Sequence, residues 1–473
     1  MTDSSVTKVQ DFRNRLFRLF RFRADATMDF IDALASFARE SVVKISLSDL
    51  FRRTYCSITD VMDNMFRRKT EQNPTEQELR EDQLKITELL SEQCEISGNR
   101  GFVLLATDCT AKPRIYAKTV TDRSIVHAPN HVPGQKPITV GHEYSLVVFL
   151  PEDECDRRAH WTFPLSIKRV SSHEKGPKVA FKQIKEIVSQ PIFRDRLCVD
   201  VSDAAYSNNF WISKGPSLLN LVHISRLRNN RILFLQPDSI TGKKTRGRPK
   251  KYGTPFRLND PPQPDQEENI HRISSSGKPW IVRICRWNNL LTKGDEEHHT
   301  EKYPFDAVRV QVFGSDGKMV FKKSLWLGVV GTRRSEVTQE QTYDSYAQRY
   351  DIEHWFRFEK QNLALSKTQT PDTRHEENLT WLSMLSFAML YQVRHFASEE
   401  RLPWERRRVR ILPRTISPSQ VQRDYNRIIR RIGTPASLSK PRGKSAGRPL
   451  GTIVPHRMMC PIVKKTRSMA VRC

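Results

Sequence analysis

The stretch that decides the fold of this chain is residues 346–360, which read YAQRYDIEHWFRFEK. The stretch contains neither Gly nor Pro and is predicted to be one helix. At about 100° per residue, four of its polar side chains fall within an arc of about 60°; they are Tyr346, Arg349, Glu353 and Lys360. Such an arc is most often a solvated face. The apolar stripe of Ile352 and Phe356 borders it, however, so the helix could instead present these groups to a ligand.

The charge of the chain is unevenly distributed. Its 473 residues include 79 Lys or Arg and 53 Asp or Glu, which gives a net charge of +26. Residues 401–473 hold 19 Lys or Arg against 2 acids, so +17 of this charge lies in the last part of the chain. A basic block of this size predicts binding to a polyanion, most often nucleic acid.

The composition also indicates a compartment. No run of about 20 apolar residues is present, so no membrane-spanning segment is predicted. The eight cysteines are scattered without a CxxC pair, which argues against a zinc site or a disulfide framework. We therefore expect a cytoplasmic protein, associated with the nucleoid through its DNA, and no membrane partner.

The pattern of apolar residues changes along the chain and predicts five regions. Residues 1–95 appear helical, residues 96–215 alternate strands with a helix, and residues 216–330 are rich in strands. Residues 331–400 carry two helices: the first is preceded by a capping box of Thr338 and Gln341, and the second is apolar nearly all round and is expected to be buried. Residues 401–473 form a basic tail with little core-forming pattern, although apolar residues such as Ile428 and Ile429 could dock part of it on the core. The order strand, strand, strand, helix, strand within 96–215 predicts an α/β fold with a mixed sheet flanked by helices.

Three acidic residues suggest a chemistry. Asp108 and Asp203 are predicted at strand ends, and Glu353 lies on the helix of 346–360. A single Asp at a strand end is usually a cap or turn residue. Phosphoryl transfer on DNA, however, uses divalent cations held by several carboxylates, because hard cations prefer oxygen ligands. The three acids together match that requirement.

The spacing of the polar arc resembles a known signature. Tyr346, Arg349, Glu353 and Lys360 match Y-x2-R-x3-E-x6-K, which resembles the signature of DDE transposases of the insertion-sequence-four family. The resemblance covers about residues 100–400 and implies an RNase H-like core interrupted by a β-rich insertion, residues 216–330. It implies that Asp108, Asp203 and Glu353 bind Mg²⁺, with Mn²⁺ as a substitute. Tyr346, Arg349 and Lys360 would contact the transposon end.

The resemblance also implies partners and an activity. The partners are double-stranded DNA, as element ends and as target, and a second copy of the chain in the DNA complex. Residues 1–95 are interpreted as the region that binds the DNA ends. The activity is metal-dependent strand cleavage at the ends, followed by strand transfer into target DNA. Two alternatives remain open: a catalytically inactive, domesticated DNA-binding protein, and a metal-dependent nuclease without strand transfer.

The second acid of the triad has two candidates. The segment LCVDVSDAAYSN contains Asp200, which lies within the predicted strand, and Asp203, which closes it. Asp203 begins DAAY, which resembles a D-x-x-Y turn of some relatives, and is favoured for that reason. Asp200 remains the alternative.

Two further features concern DNA. The loop KTRGRPKKYG contains Arg246 and Arg248 in an RGRP core that resembles an AT-hook, whose arginines enter a narrow minor groove. An ordinary basic loop is the alternative. Trp287 and Trp326 are interpreted as core residues rather than as holders of a flipped base.

Overall fold

The computed structural model describes residues 3–36, 41–67, 74–128, 136–152, 159–237, 250–274, 277–366, 369–398, 416–440, 447, 449–453 and 456–464. The helices are α1 (Asp3–Leu19), α2 (Ala24–Ser36), α3 (Val42–Ser46), α4 (Cys56–Asn64), α5 (Glu76–Ser91), α6 (Gly176–Val188), α7 (Asn209–Lys214), α8 (Gln339–Gln348), α9 (Asp351–Asn362), α10 (Thr373–Val393) and α11 (Pro418–Ile432). The strands are β1 (Val103–Pro113), β2 (Ser124–His127), β3 (Ile138–Phe149), β4 (Phe163–Val170), β5 (Cys198–Ser202), β6 (Leu221–Arg226), β7 (Ile232–Phe234), β8 (Pro255–Arg257), β9 (Gln266–Ile273), β10 (Pro279–Thr292), β11 (Phe305–Gly314) and β12 (Leu325–Val330).

The predicted fold class is confirmed: the chain is α/β, with a large mixed sheet flanked by helices. It divides into two compact units. The first unit comprises Met1–Glu95, Cys109–Val179 and Glu353–Cys473, and the second comprises Ile96–Asp108 and Ala180–Ile352. In the described part of the chain, no helix is long and apolar enough to cross a membrane.

The second unit contains the mixed sheet that carries two of the predicted acids. The first residues of β1 pair with β5, and β5 pairs with β6, in both cases in parallel. The strands β6, β12, β11, β10 and β9 then follow as antiparallel neighbours. Trp287 and Trp326 are each 3% exposed and belong to the apolar core of this unit, so the interpretation of both as core residues is confirmed.

The first unit is built around α10. Most of this helix is buried, as its nearly continuous apolar sequence predicts, and it packs against α2, α4, α11 and β4. Strands β2, β3 and β4 are antiparallel neighbours in the same unit.

The helix α11 corrects part of the description of residues 401–473. Little core-forming pattern was expected in this segment, with docking through residues such as Ile428 as the alternative. The alternative is correct, since Val421, Tyr425, Ile428 and Ile432 are buried in the first unit. The Tyr425 hydroxyl donates to Asp32 at 2.8 Å, and the same carboxylate accepts two bonds from Arg13, at 2.8 and 2.7 Å. Residues 418–432 are therefore part of the core. Residues 401–415 lie outside the described part of the chain.

Candidate active site

Two of the predicted acids lie side by side in the second unit. The parallel register pairs Thr107 with Ser202, so Asp108 and Asp203 are the next residues on neighbouring strands. The apolar runs before them fill the interior of the sheet, and both acids are only partly buried. The expected strand end is correct for Asp203, which follows β5. It is wrong for Asp108, because β1 continues to Pro113 and only the pairing with β5 ends there.

A turn fixes the Asp203 side chain. Its Oδ1 accepts a hydrogen bond from the backbone N–H of Ala205 at 2.8 Å, and its carbonyl accepts one from Tyr206 at 3.3 Å. An Asp whose side chain bonds the backbone two residues later stabilises a turn. The DAAY segment therefore turns the chain directly after β5 and leaves one oxygen, Oδ2, outside that bond.

Asp200 has a different environment. It is 0% exposed, and its Oδ1 accepts from the Thr107 hydroxyl at 2.6 Å. Its Oδ2 lies 2.7 Å from Nδ1 of His223, whose ring stacks on Trp211 at 4.0 Å between centroids. Asp203, by contrast, lies beyond the end of β5, in the turn. Both Asp200 oxygens are thus bonded inside the core, which favours the partly buried Asp203 as the ligand candidate.

The helix predicted over residues 346–360 is interrupted. Helix α8 ends at Gln348 and α9 begins at Asp351, so Tyr346 and Glu353 lie on different helices. Between the two helices, backbone hydrogen bonds span three residues, as in a 3₁₀ turn. The Tyr350 N–H donates to the Ala347 carbonyl at 3.4 Å, and the Ile352 N–H donates to the Arg349 carbonyl at 3.1 Å. The helical wheel therefore does not hold across Arg349. The capping box of Thr338 and Gln341 at the start of α8 is confirmed.

Arg349 links the signature to the acids. Its Nη1 lies 3.4 Å from Oδ2 of Asp108, and the two side chains are 13% and 19% exposed. Its guanidinium also lies 5.6 Å from the centroid of the Tyr346 ring. Burial raises the pKa of the Tyr346 hydroxyl; Arg349 and Arg226 oppose that rise and Asp203 adds to it. Four of the predicted residues, Asp108, Asp203, Tyr346 and Arg349, are thus brought together in the second unit.

Glu353 and Lys360 belong to the first unit. Both lie on α9 and are half-buried, and the Lys360 ammonium is 5.9 Å from the centroid of the Phe356 ring. Among the described residues, no three His, Cys, Asp or Glu side chains form a group that could hold a metal ion. Within the second unit, the structure brings together Asp108 and Asp203.

A cavity of about 690 Å³ in the second unit is lined in part by Tyr346 and Arg349, which belong to the cluster around Asp108 and Asp203. Four aromatic and four basic residues line it, and we call it the aromatic cavity. It is lined by Arg226, Val310, Val312, Phe321, Lys322, Lys323, Ser324, Leu325, Tyr343, Tyr346, Ala347, Arg349 and Tyr350. Arg226, Lys322 and Lys323 were not identified from the sequence, because these basic residues lie in strand and hairpin segments that match no motif. The pair KK after the GSDG turn was the only available signal.

The AT-hook-like residues Arg246 and Arg248 lie outside the described residues. Their predicted contact with DNA stays a prediction.

The large mixed sheet flanked by helices is consistent with an RNase H-like DDE domain. Residues 15–289, more than half of the chain, match the family described as DDE superfamily endonuclease. The chain belongs to this family, whose members cleave DNA and use divalent metal ions. The match contains Asp108 and Asp203 and ends before Tyr346 and Glu353. A comparison with curated proteins gives no match.

Proposed function

We propose that the protein is a DDE transposase, related to the insertion-sequence-four family, that cuts its element's ends and joins them to target DNA. The observation that carries the proposal is the pair Asp108 and Asp203 at the end of the β1–β5 pairing, with Arg349 bound to Asp108. Family membership accounts for DNA cleavage, and strand transfer is the additional claim. The active form would be a homodimer on DNA.

The residues present fit divalent cations. Asp108 and Asp203 offer carboxylate oxygens in adjacent positions, the donor type that Mg²⁺ or Mn²⁺ requires, and Glu353 is the third proposed ligand. When bound, the metal would activate the attacking oxygen and stabilise the leaving oxygen. Arg349, which lies 3.4 Å from Asp108, would contact a phosphate of the DNA end.

The remaining residues would hold the DNA end. Tyr343, Tyr346 and Tyr350 offer rings on which bases can stack, while Arg226 and Lys322 are placed to pair with phosphates. In the first reaction, a water oxygen forms a bond to phosphorus and the bond to the 3′ oxygen breaks. In the second, the released 3′-OH forms the bond to a target phosphate and the target's own 3′ oxygen leaves.

The basic segments would add affinity. Arg246, Arg248 and the tail residues supply positive charge that releases counterions from any duplex. Lys360 is proposed as a further phosphate contact.

The test uses linear duplexes that carry the terminal sequences of the encoding element, together with a target plasmid. With Mg²⁺ or Mn²⁺ we expect 3′-OH ends and joined products, and neither in EDTA. Asp108→Asn and Glu353→Gln should abolish both products and retain DNA binding, since each keeps size and removes charge. The exposed Asp195 offers a matched control, Asp195→Asn, which should behave as the parent. Activity that persists in EDTA would refute the metal mechanism.

The same assay separates the alternatives. The family description names an endonuclease, which favours a nuclease without strand transfer as the second candidate. Cleaved ends without joined products would establish that candidate. DNA binding without cleavage under every metal condition would establish the inactive DNA-binding protein.

A further inference from the structure

A second cavity of about 480 Å³ lies in the second unit, and its lining differs from that of the aromatic cavity. Four carboxamides and a hydroxyl dominate it, so we call it the amide cavity. It is lined by Asn229, Asn230, Leu258, Asn259, Arg309, Gln311, Lys322, Lys323, Ser324 and Trp326. Three of these side chains are cationic and, among the described residues, none that lines it is a carboxylate. The cavity therefore favours an anionic ligand.

Arg309 is held in position by two tryptophan rings and a cysteine sulfur. Its guanidinium lies 5.4 Å from the Trp287 ring centroid and 5.9 Å from that of Trp326, and both rings are fixed in the core. Its Nη2 contacts the Cys285 sulfur at 3.6 Å, and its buried Nε has no hydrogen-bond partner among the described residues. A cation that is immobilised in this way loses little side-chain entropy when it binds an anion.

The carboxamides indicate more than a phosphate. A phosphate accepts hydrogen bonds only, so cations and N–H donors suffice to bind it. Each Asn or Gln side chain presents an acceptor oxygen beside a donor NH₂ group. That pair of groups is complementary to the edge of a base, most clearly to the N6 and N7 atoms of adenine. The combined chemistry is that of a nucleotide.

The position of the cavity connects it to the proposed active site. Lys322, Lys323 and Ser324 line both the amide cavity and the aromatic cavity. The two cavities are therefore neighbours with a common basic wall. A DNA strand held by its phosphates on that wall would present one nucleotide to the rings and another to the carboxamides.

We propose that the amide cavity is a sequence-reading subsite, which binds one nucleotide of the DNA end through Arg309 and reads its base through Gln311 and Asn259. This inference rests on the proposed function for its DNA ligand only, not for strand cleavage. Base contacts carry sequence information, whereas phosphate contacts do not. The subsite therefore supplies specificity, and the shared lysines supply affinity.

The test is selection from a duplex library with a randomised segment, performed in EDTA so that binding is measured without cleavage. The parent should enrich one preferred base at a defined position. Gln311→Ala with Asn259→Ala should reduce that preference by about tenfold, because a good bidentate pair discriminates by about this factor or more. Asn269→Ala, an exposed amide of the same unit outside the cavity, is the control and should select as the parent does.

A variant that prefers a different base, rather than no base, excludes misfolding as the cause of its altered selection. Gln311→Glu replaces a donor with an acceptor and should change the preferred base at the same position from adenine to cytosine. A library from which the parent enriches no base, or identical selection by the parent and both cavity variants, would overturn the inference. Loss of cleavage in the separate metal assay would instead refute the proposed function, and selection in EDTA would still decide the inference.

Discussion

The pair Asp200 and Asp203 allows a substitution experiment in which stability and activity separate. Asp203→Asn retains a side-chain oxygen that can accept the bond from Ala205, and Asn is well tolerated in such turns. We expect a change in unfolding free energy within about 0.5 kcal/mol, as for ordinary exposed sites. Cleavage should be abolished, because the carboxylate charge proposed to bind the metal is gone.

Asp200→Asn should behave in the opposite way. The carboxylate accepts from Thr107 at 2.6 Å and lies 2.7 Å from His223, both inside the core. Both bonds lose the charge of their acceptor, and each charge-assisted bond exceeds a neutral one by about 1 kcal/mol. The expected destabilisation is therefore about 2 kcal/mol, and the protein that remains folded should still cleave.

The assay measures thermal unfolding of both variants by circular dichroism and then end cleavage at a temperature where each is folded. Asp195→Asn again serves as the exposed control. If Asp200→Asn were as stable as the parent but inactive, while Asp203→Asn cleaved normally, the assignment of the second ligand would be wrong. Equal loss of stability in both variants would refute the difference in environment.

Three further predictions concern other parts of the chain. Arg349→Ala and Lys360→Ala should each reduce the slope of log affinity against log salt concentration by about 0.9, because each removes one phosphate contact. An unchanged slope in salt titrations would show that the residue has a structural role and does not contact phosphate. Glu359→Gln should have the parent's melting temperature at pH 4 and a higher one at pH 9. Burial raises the pKa of the Glu359 carboxyl to about 8. The stability that the protonated carboxyl gives to the parent is therefore complete below pH 4.5 and is lost as pH rises through about 8. A parallel pH profile would contradict this. Truncation before residue 401 should unfold the first unit because α11 is lost. Removal of residues 441–473 alone deletes the bonds from the Cys460 N–H to the Lys118 carbonyl at 2.9 Å and from the Val463 N–H to the Arg123 carbonyl at 2.7 Å, so it should lower the melting temperature without unfolding the unit. It should weaken binding to end and random duplexes equally, and weaker binding to end sequences only would show that this segment reads DNA.

Much of the core could be predicted from local pattern. Apolar runs predicted the strands that carry Asp108 and Asp203, the capping box predicted the start of α8, and the continuous apolar sequence predicted the buried α10. In each case the sequence within a single element determines the outcome. Parallel pairing then brings Asp108 and Asp203 together, which no local pattern specifies.

The errors depend on partners distant in sequence. The end of β1 was misplaced because Lys112 does not look like an interior strand residue, yet it is buried and donates to Thr380 at 2.9 Å, 268 residues away. The break between Gln348 and Asp351 lies in a segment without Gly or Pro, so no helix-breaking residue marks it in the sequence. α11 is different, since Val421, Tyr425, Ile428 and Ile432 recur at helical spacing. Its arginines obscured an amphipathic pattern that a periodicity measure would have detected.

The docking of α11 has a consequence for biosynthesis. The helix α2 leaves the ribosome long before α11, one of the helices that cover it, because Asp32 and Tyr425 are 393 residues apart. Until then Asp32 and Arg13 lack the Tyr425 hydroxyl that completes their buried cluster. The first unit can close only after α11 has been synthesised, so a chain arrested by a premature stop codon ahead of α11 exposes apolar surface and is a substrate for chaperones and proteases.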